Sequence, residues 1–481
     1  MPTERIQFGV IQESSNEELS GAAPLAINVI VDGRGTVRRR PGIKTWADAG
    51  TAVFPGAPIV AMAEYGDVLY FVAEAATGQR KIGKLTGGVQ TSLSPDASAT
   101  LTGTGRPVIA TFNDRLMFAG GSTLMEVGTA DTITAANAVI NDANALGGDF
   151  EPPLCTYVDA FSGYAFVNDL TSDSTLDWVR PSSTVDYNGL VNFDPLDVVQ
   201  ASARPDQVIA LANNANEFYV FGERTLQIFV ADEASILAPA RTIELGISAP
   251  YSLVPTQAGF SWLDSRKRLM QTDGRSDSEV GLPIRRTLSK ISTVSDCWGF
   301  YAPMGHGDFY GWVFPSDGRT FVMQEGAGWA QWHSGVGQQA LWLPKSYYYW
   351  ENQGVHVVGM ADGTFAQLDL DTNTDLGAAF EAKVRTGFES HKTSAFKTCK
   401  SLRLRIRRLT TSASGTLRLS WRDNLGAFSP SLAIDISTAG EYEPVVQFRG
   451  LGTYRQRQWQ IDLTDSVGLS ISDVEEDFDI V

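Results

Sequence analysis

Four histidines, three cysteines, scattered glycine pairs and two groups of arginines are the residues of this 481-residue chain whose types could do chemistry. His306, His333, His356 and His391 never form a His-x-x-x-His pair, so a histidine-based site has no support from spacing. Cys155, Cys297 and Cys399 lie far apart and are odd in number, which argues against a disulfide framework or a zinc cluster. Each is expected to be a small buried hydrophobe in a chain that folds under reducing conditions. The pairs Gly103/Gly105, Gly305/Gly307 and Gly450/Gly452 lack a third glycine and a βαβ setting, and there is neither a Gly-x-Ser-x-Gly elbow nor a phosphate loop. Two groups of cations remain. Arg38, Arg39 and Arg40 are consecutive and could touch phosphate, or form a solvated strand edge or a subunit salt-bridge site. Arg403, Arg405 and Arg407 alternate, so in a strand they share one face about 7 Å apart.

The elements that would position such residues are short strands. Asn113 to Val127 reads as two apolar runs, Leu116 to Ala119 and Leu124 to Val127, joined by Gly-Gly-Ser, which is the pattern of a β-hairpin. Similar hairpins recur at 216–229, 309–323 and 355–368, each with a Thr (Thr123, Thr225, Thr320, Thr364) opening its second strand. With looser copies included, the first strands begin at Leu69, Leu116, Tyr164, Phe218, Phe260, Phe309 and Val355, at intervals of 47, 48, 54, 42, 49 and 46 residues. A period of roughly 40–50 residues built from short strands and glycine turns predicts propeller blades rather than unrelated hairpins in sandwiches.

The expected architecture is all-β, in three parts. Residues 1–45 form an arm and one hairpin, in which Ala26 to Val31 meets Val37. Residues 46–371 form a β-propeller of six or seven blades, with an insertion around 129–156 and one short helix over Pro283 to Ile291. After the linker-like Asp371 to Gly377, residues 377–481 alternate apolar and polar as in a half-exposed sheet, predicting a β-sandwich or small barrel that ends in the acidic tail Asp473 to Asp479. Trp298, Phe300, Tyr301, Trp312, Trp329, Trp332 and Trp342 could line a sugar site, although filling the space between blades is the commoner use of such residues. No run approaches the ~18 apolar residues of a membrane helix, and no signal-peptide pattern opens the sequence.

The net charge of −17 opposes a role in gripping nucleic acid by its phosphates. Ser316 to Phe321 and Asp362 to Phe365 resemble the Asp-box of sialidase-like propellers but lack its spacer residues, and Asp-Gly is what a tight hairpin turn needs. A propeller glycosidase would carry paired carboxylates in its central channel, and no such pair can be assigned by spacing. The expectation is therefore a protein without enzymatic activity and without cofactor or metal.

In the order of its features the chain resembles the tail hub, or nozzle, protein family of short-tailed bacteriophages, also called packaged-DNA stabilisation proteins. The residues that carry the resemblance are Arg38 to Ile43 with Trp46, Ala203 to Leu211 followed by Gly222 to Phe229, the Gly328 to Trp332 turn, and the basic strand Lys397 to Arg407. The resemblance implies a structural virion protein, assembled in the bacterial host cytoplasm as a homo-hexamer in the viral tail. Such a ring would meet a portal adaptor, tail spikes or fibres, and a needle or plug. It would line and close the DNA exit channel during packaging and ejection, letting genomic DNA pass without tight binding. Within an acidic ring, Arg38, Arg39, Arg40, Arg403, Arg405 and Arg407 are expected at subunit interfaces, opposite a neighbour's carboxylates. The alternative is a propeller glycosidase or a glycan-binding receptor module of a phage tail.

Overall fold

The structure is a computed structural model and describes residues 3–6, 25–31, 36–75, 78–93, 101–103, 105–127, 133–135, 154–170, 175–182, 191, 193, 197–201, 206–214, 216–233, 235–336, 340–408, 415–436, 445–465 and 467–481. Most of the insertion expected around 129–156 lies outside the described residues. The fold is all-β, a propeller joined to a C-terminal sandwich.

Among the described residues, seven antiparallel sheets follow one another from 59 to 369. Their first strands are Ile59–Tyr65, Val108–Phe112, Val158–Phe161, Val208–Asn214, Val254–Thr256, Trp298–Met304 and Ser346–Trp350. Neighbouring first strands pack side by side, except that Val208–Asn214 meets the 3-10 turn Pro250–Ser252 ahead of the fifth sheet, and that of the seventh sheet returns to that of the first. This closes a ring. The second strand of each sheet is its most apolar, as in Arg115–Ala119 and Gly259–Leu263, where every residue is buried. Such strands lie between two other blades, so both faces must be apolar. Removing each large side chain from water stabilises the fold by about 1.5–3 kcal/mol.

Thr225, Thr320 and Thr364 share a place at the start of their blades' third strands, but not a bonding pattern. Thr123 instead sits in a separate short strand, Ser122–Thr123, that pairs with Leu154–Cys155 ahead of the third strand Met125–Val127. Thr225 donates its backbone N–H and hydroxyl to Asp206 Oδ2, at 2.8 and 2.9 Å. Thr364 donates in the same way to Asp362 Oδ1, at 3.0 and 2.6 Å, whereas the buried Thr320 hydroxyl has no partner. The repeat is thus one of strand position. Asp206 also accepts from the backbone of Arg224 at 2.9 Å, so it braces the turn into its blade's third strand.

The hairpin expected over 26–38 is split. Val29–Val31 pairs with Val37–Arg39, but Leu25–Ile27 runs into another sheet, and the seventh blade is completed by Gly42–Thr45. Ring closure is tight. Ser346 Oγ donates to Ile59 O at 2.7 Å, and a Cβ on Gly359 would stand 2.7 Å from the Ile59 side chain, which calls for glycine there.

The sandwich has two sheets around one core that contains Leu402, Leu404, Ile406, Leu417, Leu419, Trp459 and Ile461. One sheet contains Val29–Val31, Val37–Arg39, Leu469–Ile480, Lys397–Arg408 and Val445–Arg449 in that order. The other runs Leu25–Ile27, Ala382–Arg385, Arg457–Leu463, Thr416–Asp423 and Leu432–Asp435. Leu25–Ile27 also pairs with the last strand of blade six, so one sheet continues from propeller into sandwich. The sequence reading of an acidic tail needs correction. Leu469–Ile480 is a central strand with Val474, Glu476 and Phe478 turned inward, because its apolar residues alternate with the acids. Asp371 to Gly377 is no free linker either, since Thr374–Asp375 pairs with the closing strand and with Ala378–Ala379. The predicted helix is present as a 3-10 turn, Leu282–Ile284, running into Arg285–Lys290.

Candidate functional site

The residues just ahead of several first strands converge at one end of the ring. There they enclose a cavity of ≈ 480 Å³ walled by Glu74, Arg106, Tyr251, Asp296, Trp298 and Lys345 among others. Small-molecule sites usually fall between about 300 and 1,000 Å³.

Arg106 organises this mouth. Its guanidinium donates to Val60 O in blade one and to Lys345 O at the start of blade seven. It lies 4.4 Å from the centre of the Trp298 ring of blade six. The Tyr251 hydroxyl arrives beside it from the start of blade five, next to Gly105. Burial pushes the Arg106 pKa down to about 10, so it remains a cation at neutral pH. Arg80 adds a second brace, donating to Gly120 O at 2.8 Å, Gly103 O at 3.1 Å and Gly105 O. Gly105 has φ +94°, and a Cβ there would stand 2.7 Å from the Tyr251 hydroxyl. The mouth is thus braced by groups from opposite sides of the ring.

Two carboxylates face this frame. Asp296 Oδ2 accepts from the Ser316 backbone at 2.7 Å, while its Oδ1 is buried with no partner. A buried acceptor without a donor costs about 1–3 kcal/mol. Glu74 borders the same cavity and interacts electrostatically with Arg80 and Arg106. Burial raises the Tyr251 pKa against the opposing pull of both arginines, which keeps its phenol neutral at neutral pH. Two carboxylates and a phenol can together accept from hydroxyls and exchange protons. Among the described residues, no cluster of three or more His, Cys, Asp and Glu side chains could hold a metal.

The arginines singled out by sequence lie elsewhere, in two different settings. Arg39 and Arg40 are buried inside the chain, 4% and 0% exposed, which corrects the expectation that they meet a neighbouring subunit. Arg40 ion-pairs with Asp375 at 2.6 Å, donates to Asn28 Oδ1 and His333 O at 2.9 Å each, and stacks 3.9 Å from the Phe380 ring centre. Arg39 donates to the carbonyls of Asp465, Val467 and Phe380, and burial pushes its pKa down to about 10. These donors have been turned inward because two otherwise separate folds need carbonyls satisfied where they join. Arg38 contacts His306 Nε2 at 2.5 Å and donates to Leu370 O at 3.0 Å.

Arg403, Arg405 and Arg407 do share one exposed face of the sandwich. Their neighbouring strand in the same chain supplies acids, with Arg403 opposite Glu475 and Arg405 opposite Asp473. Arg403 Nη1 stands 3.9 Å from Glu475. The three cysteines are buried and free. Of the aromatic set, Trp312, Trp332 and Trp342 are fully buried, with Phe300 packed against Trp332 and Trp342, whereas Trp298 reaches the mouth. Sequence reasoning missed Glu74, Arg106, Tyr251 and Asp296. The signal that could have found the last three is their common place in the repeat, two or three residues ahead of a first strand.

No protein-family model matches this chain, and neither does any curated protein. Solved structures do resemble it. An auxiliary nutrient binding protein from Bacteroides thetaiotaomicron is 9% identical with TM-score 0.36, over 68% of this chain and 75% of its own. An exo-β-1,3-galactanase from Phanerochaete chrysosporium is 12% identical with TM-score 0.28, over 94% and 100%. A family 43 arabinoxylan arabinofuranohydrolase from Bacillus subtilis is 7% identical with TM-score 0.25, over 90% and 96%. The likeness is one of fold, and the activities named are those proteins' own. Glycoside hydrolases stand among the chains that resemble it, which runs against the expectation of a chain that is not an enzyme.

Proposed function

We propose that the protein binds carbohydrate in the channel-mouth cavity and that Glu74 and Asp296 are the groups able to act on a glycosidic bond there. The observation that carries this reading is a cavity of ≈ 480 Å³ walled by two carboxylates, Glu74 and Asp296, beside Arg106 and Tyr251. Sugars present hydroxyls, and carboxylates and an arginine are among the polar groups that orient such ligands in a pocket. In glycoside hydrolysis one carboxyl protonates the leaving oxygen while the other activates water or attacks the sugar carbon. The test is a carbohydrate-binding and hydrolysis screen of the intact protein beside Asp296→Asn and Glu74→Gln. Binding or cleavage by the intact protein that falls at least about tenfold in either variant supports the reading. A protein that neither binds nor cleaves any carbohydrate in the screen overturns it.

A second reading, a ring-forming component of a short-tailed phage tail, is favoured by the exposed row of Arg403, Arg405 and Arg407 on a chain of net charge −17. Its test is mass in solution and in assembled particles, with the three arginines changed to Gln. A monomer unaffected by these changes at any ionic strength would dismiss it.

A further inference from the structure

Resting on the carbohydrate reading, we infer that the mouth selects an acidic sugar, one whose carboxylate or sulfate meets Lys345. A chain of net charge −17 has carboxylates to spare for its cations. At the mouth the cations go without. Lys345 walls the cavity and is half-buried, yet among the described residues its ammonium makes neither an ion pair nor a hydrogen bond. Unlike Asp296 Oδ1, that ammonium stays open to solvent. Among the described residues, Arg106 and the fully buried Arg80 donate to carbonyl oxygens and to no carboxylate. Carbonyls satisfy N–H groups but carry no net charge, so both guanidiniums remain unneutralised.

Two carboxylates border the same cavity, and neither closes an ion pair there. Asp296 accepts from the Ser316 backbone, and Glu74 acts on Arg80 and Arg106 from beyond contact. Arg80, Arg106 and Lys345 set against Glu74 and Asp296 leave one positive charge in excess. Lys345 is also well placed to use it. Its backbone N–H donates to Gly359 O at 2.8 Å, its carbonyl accepts from Arg106, and the adjoining Ser346 is tied to Ile59 across the ring closure. A compact charge on a flexible stem therefore springs from a fixed base. An anion elsewhere in the cavity would meet Glu74 and Asp296. Beside Lys345 it gains a charge-assisted hydrogen bond, roughly twice as strong as a neutral one. A neutral sugar leaves that charge unused.

The experiment measures binding of matched ligands to the intact protein by calorimetry. One pair is oligogalacturonates and the same oligomers with every carboxylate methyl-esterified; the other is sulfated and unsulfated galactan oligosaccharides. At least one acidic ligand should bind about tenfold or more tightly than its uncharged counterpart, and the gap should narrow as salt is raised. The pair that shows the gap tells carboxylate from sulfate. Lys345→Gln, with its folding confirmed by an unchanged melting temperature, should bring the acidic ligand down to the affinity of the uncharged one. Lys345→Arg, which keeps the charge, should retain the preference. Equal binding of charged and uncharged ligands would overturn the inference while leaving carbohydrate binding intact. A preference undiminished in folded Lys345→Gln would place the anion elsewhere and overturn it as well. Absence of binding to every carbohydrate, neutral or acidic, would overturn the underlying reading and this inference together.

Discussion

Buried arginines, rather than exposed ones, hold this molecule together. Arg40 and Asp375 are 0% and 2% exposed, so removing one partner strands the other's charge in a low dielectric. Arg40→Gln is expected to cost about 3–5 kcal/mol in denaturant unfolding, as broken buried pairs do. Arg403→Gln on the exposed face should stay within about 0.5 kcal/mol. A second residue-scale expectation concerns pH. Burial lifts the Asp159 pKa from its ordinary 3.8 to about 6, against hydrogen bonds from Ala160 and Asn213. The folded chain then holds this proton more tightly than the unfolded one. Its contribution is full below the ordinary value and is lost as pH rises through about 6. Asp159→Asn should therefore raise the melting temperature relative to wild type at pH 7.5, by an amount equivalent to about 1 kcal/mol. The difference should shrink as pH falls below 5. At this scale the sequence was a poor guide. A run of three arginines looks alike whether it meets solvent or carbonyls, and Arg106 and Tyr251 act through partners hundreds of residues or several blades away.

Strands and turns were far easier to read. The hairpin spacing located the second strand of each of the seven sheets because each blade repeats one local sentence, an apolar run, a glycine turn and a second run. The Asp-Gly turns follow from the same local logic. Asp362 accepts from Thr364 within its own turn, so Asp362→Ala should cost about 1 kcal/mol in thermal unfolding and leave any carbohydrate binding unchanged. The closing strand was less visible. Gly42–Thr45 looked like the tail of a hairpin, since nothing local to it points to Phe365–Asp369. Ile43 in that strand is 0% exposed, and Ile43→Ala should lower stability by about 2–5 kcal/mol, measured by chemical denaturation. The acidic strand was misjudged because a high count of Asp and Glu hid its period of two.

For the whole molecule, composition and period led to the all-β class and the propeller, while the join between propeller and sandwich was out of reach. That join depends on Asn28, which donates to Glu381 O at 2.7 Å and accepts from Arg40 and from the His333 backbone. A single amide there touches three regions of the chain, and only the tertiary fold assembles them. The segment 25–45 thus has three separate duties: it extends blade six, builds the sandwich and completes blade seven.

That arrangement has a temporal consequence. During synthesis, residues 25–45 leave the ribosome well before their partners at 331, 366–369, 383–385 and 470–471. The early strands must wait with unsatisfied edges while six blades form, and closing so long a loop is slow. Delayed closure leaves a window for a neighbouring nascent chain to donate its own strand instead. Yield of the monomeric product should therefore fall with expression rate and temperature more steeply than stability alone would dictate, and a chain rearranged to place 25–45 after 481 through a flexible linker should escape that dependence.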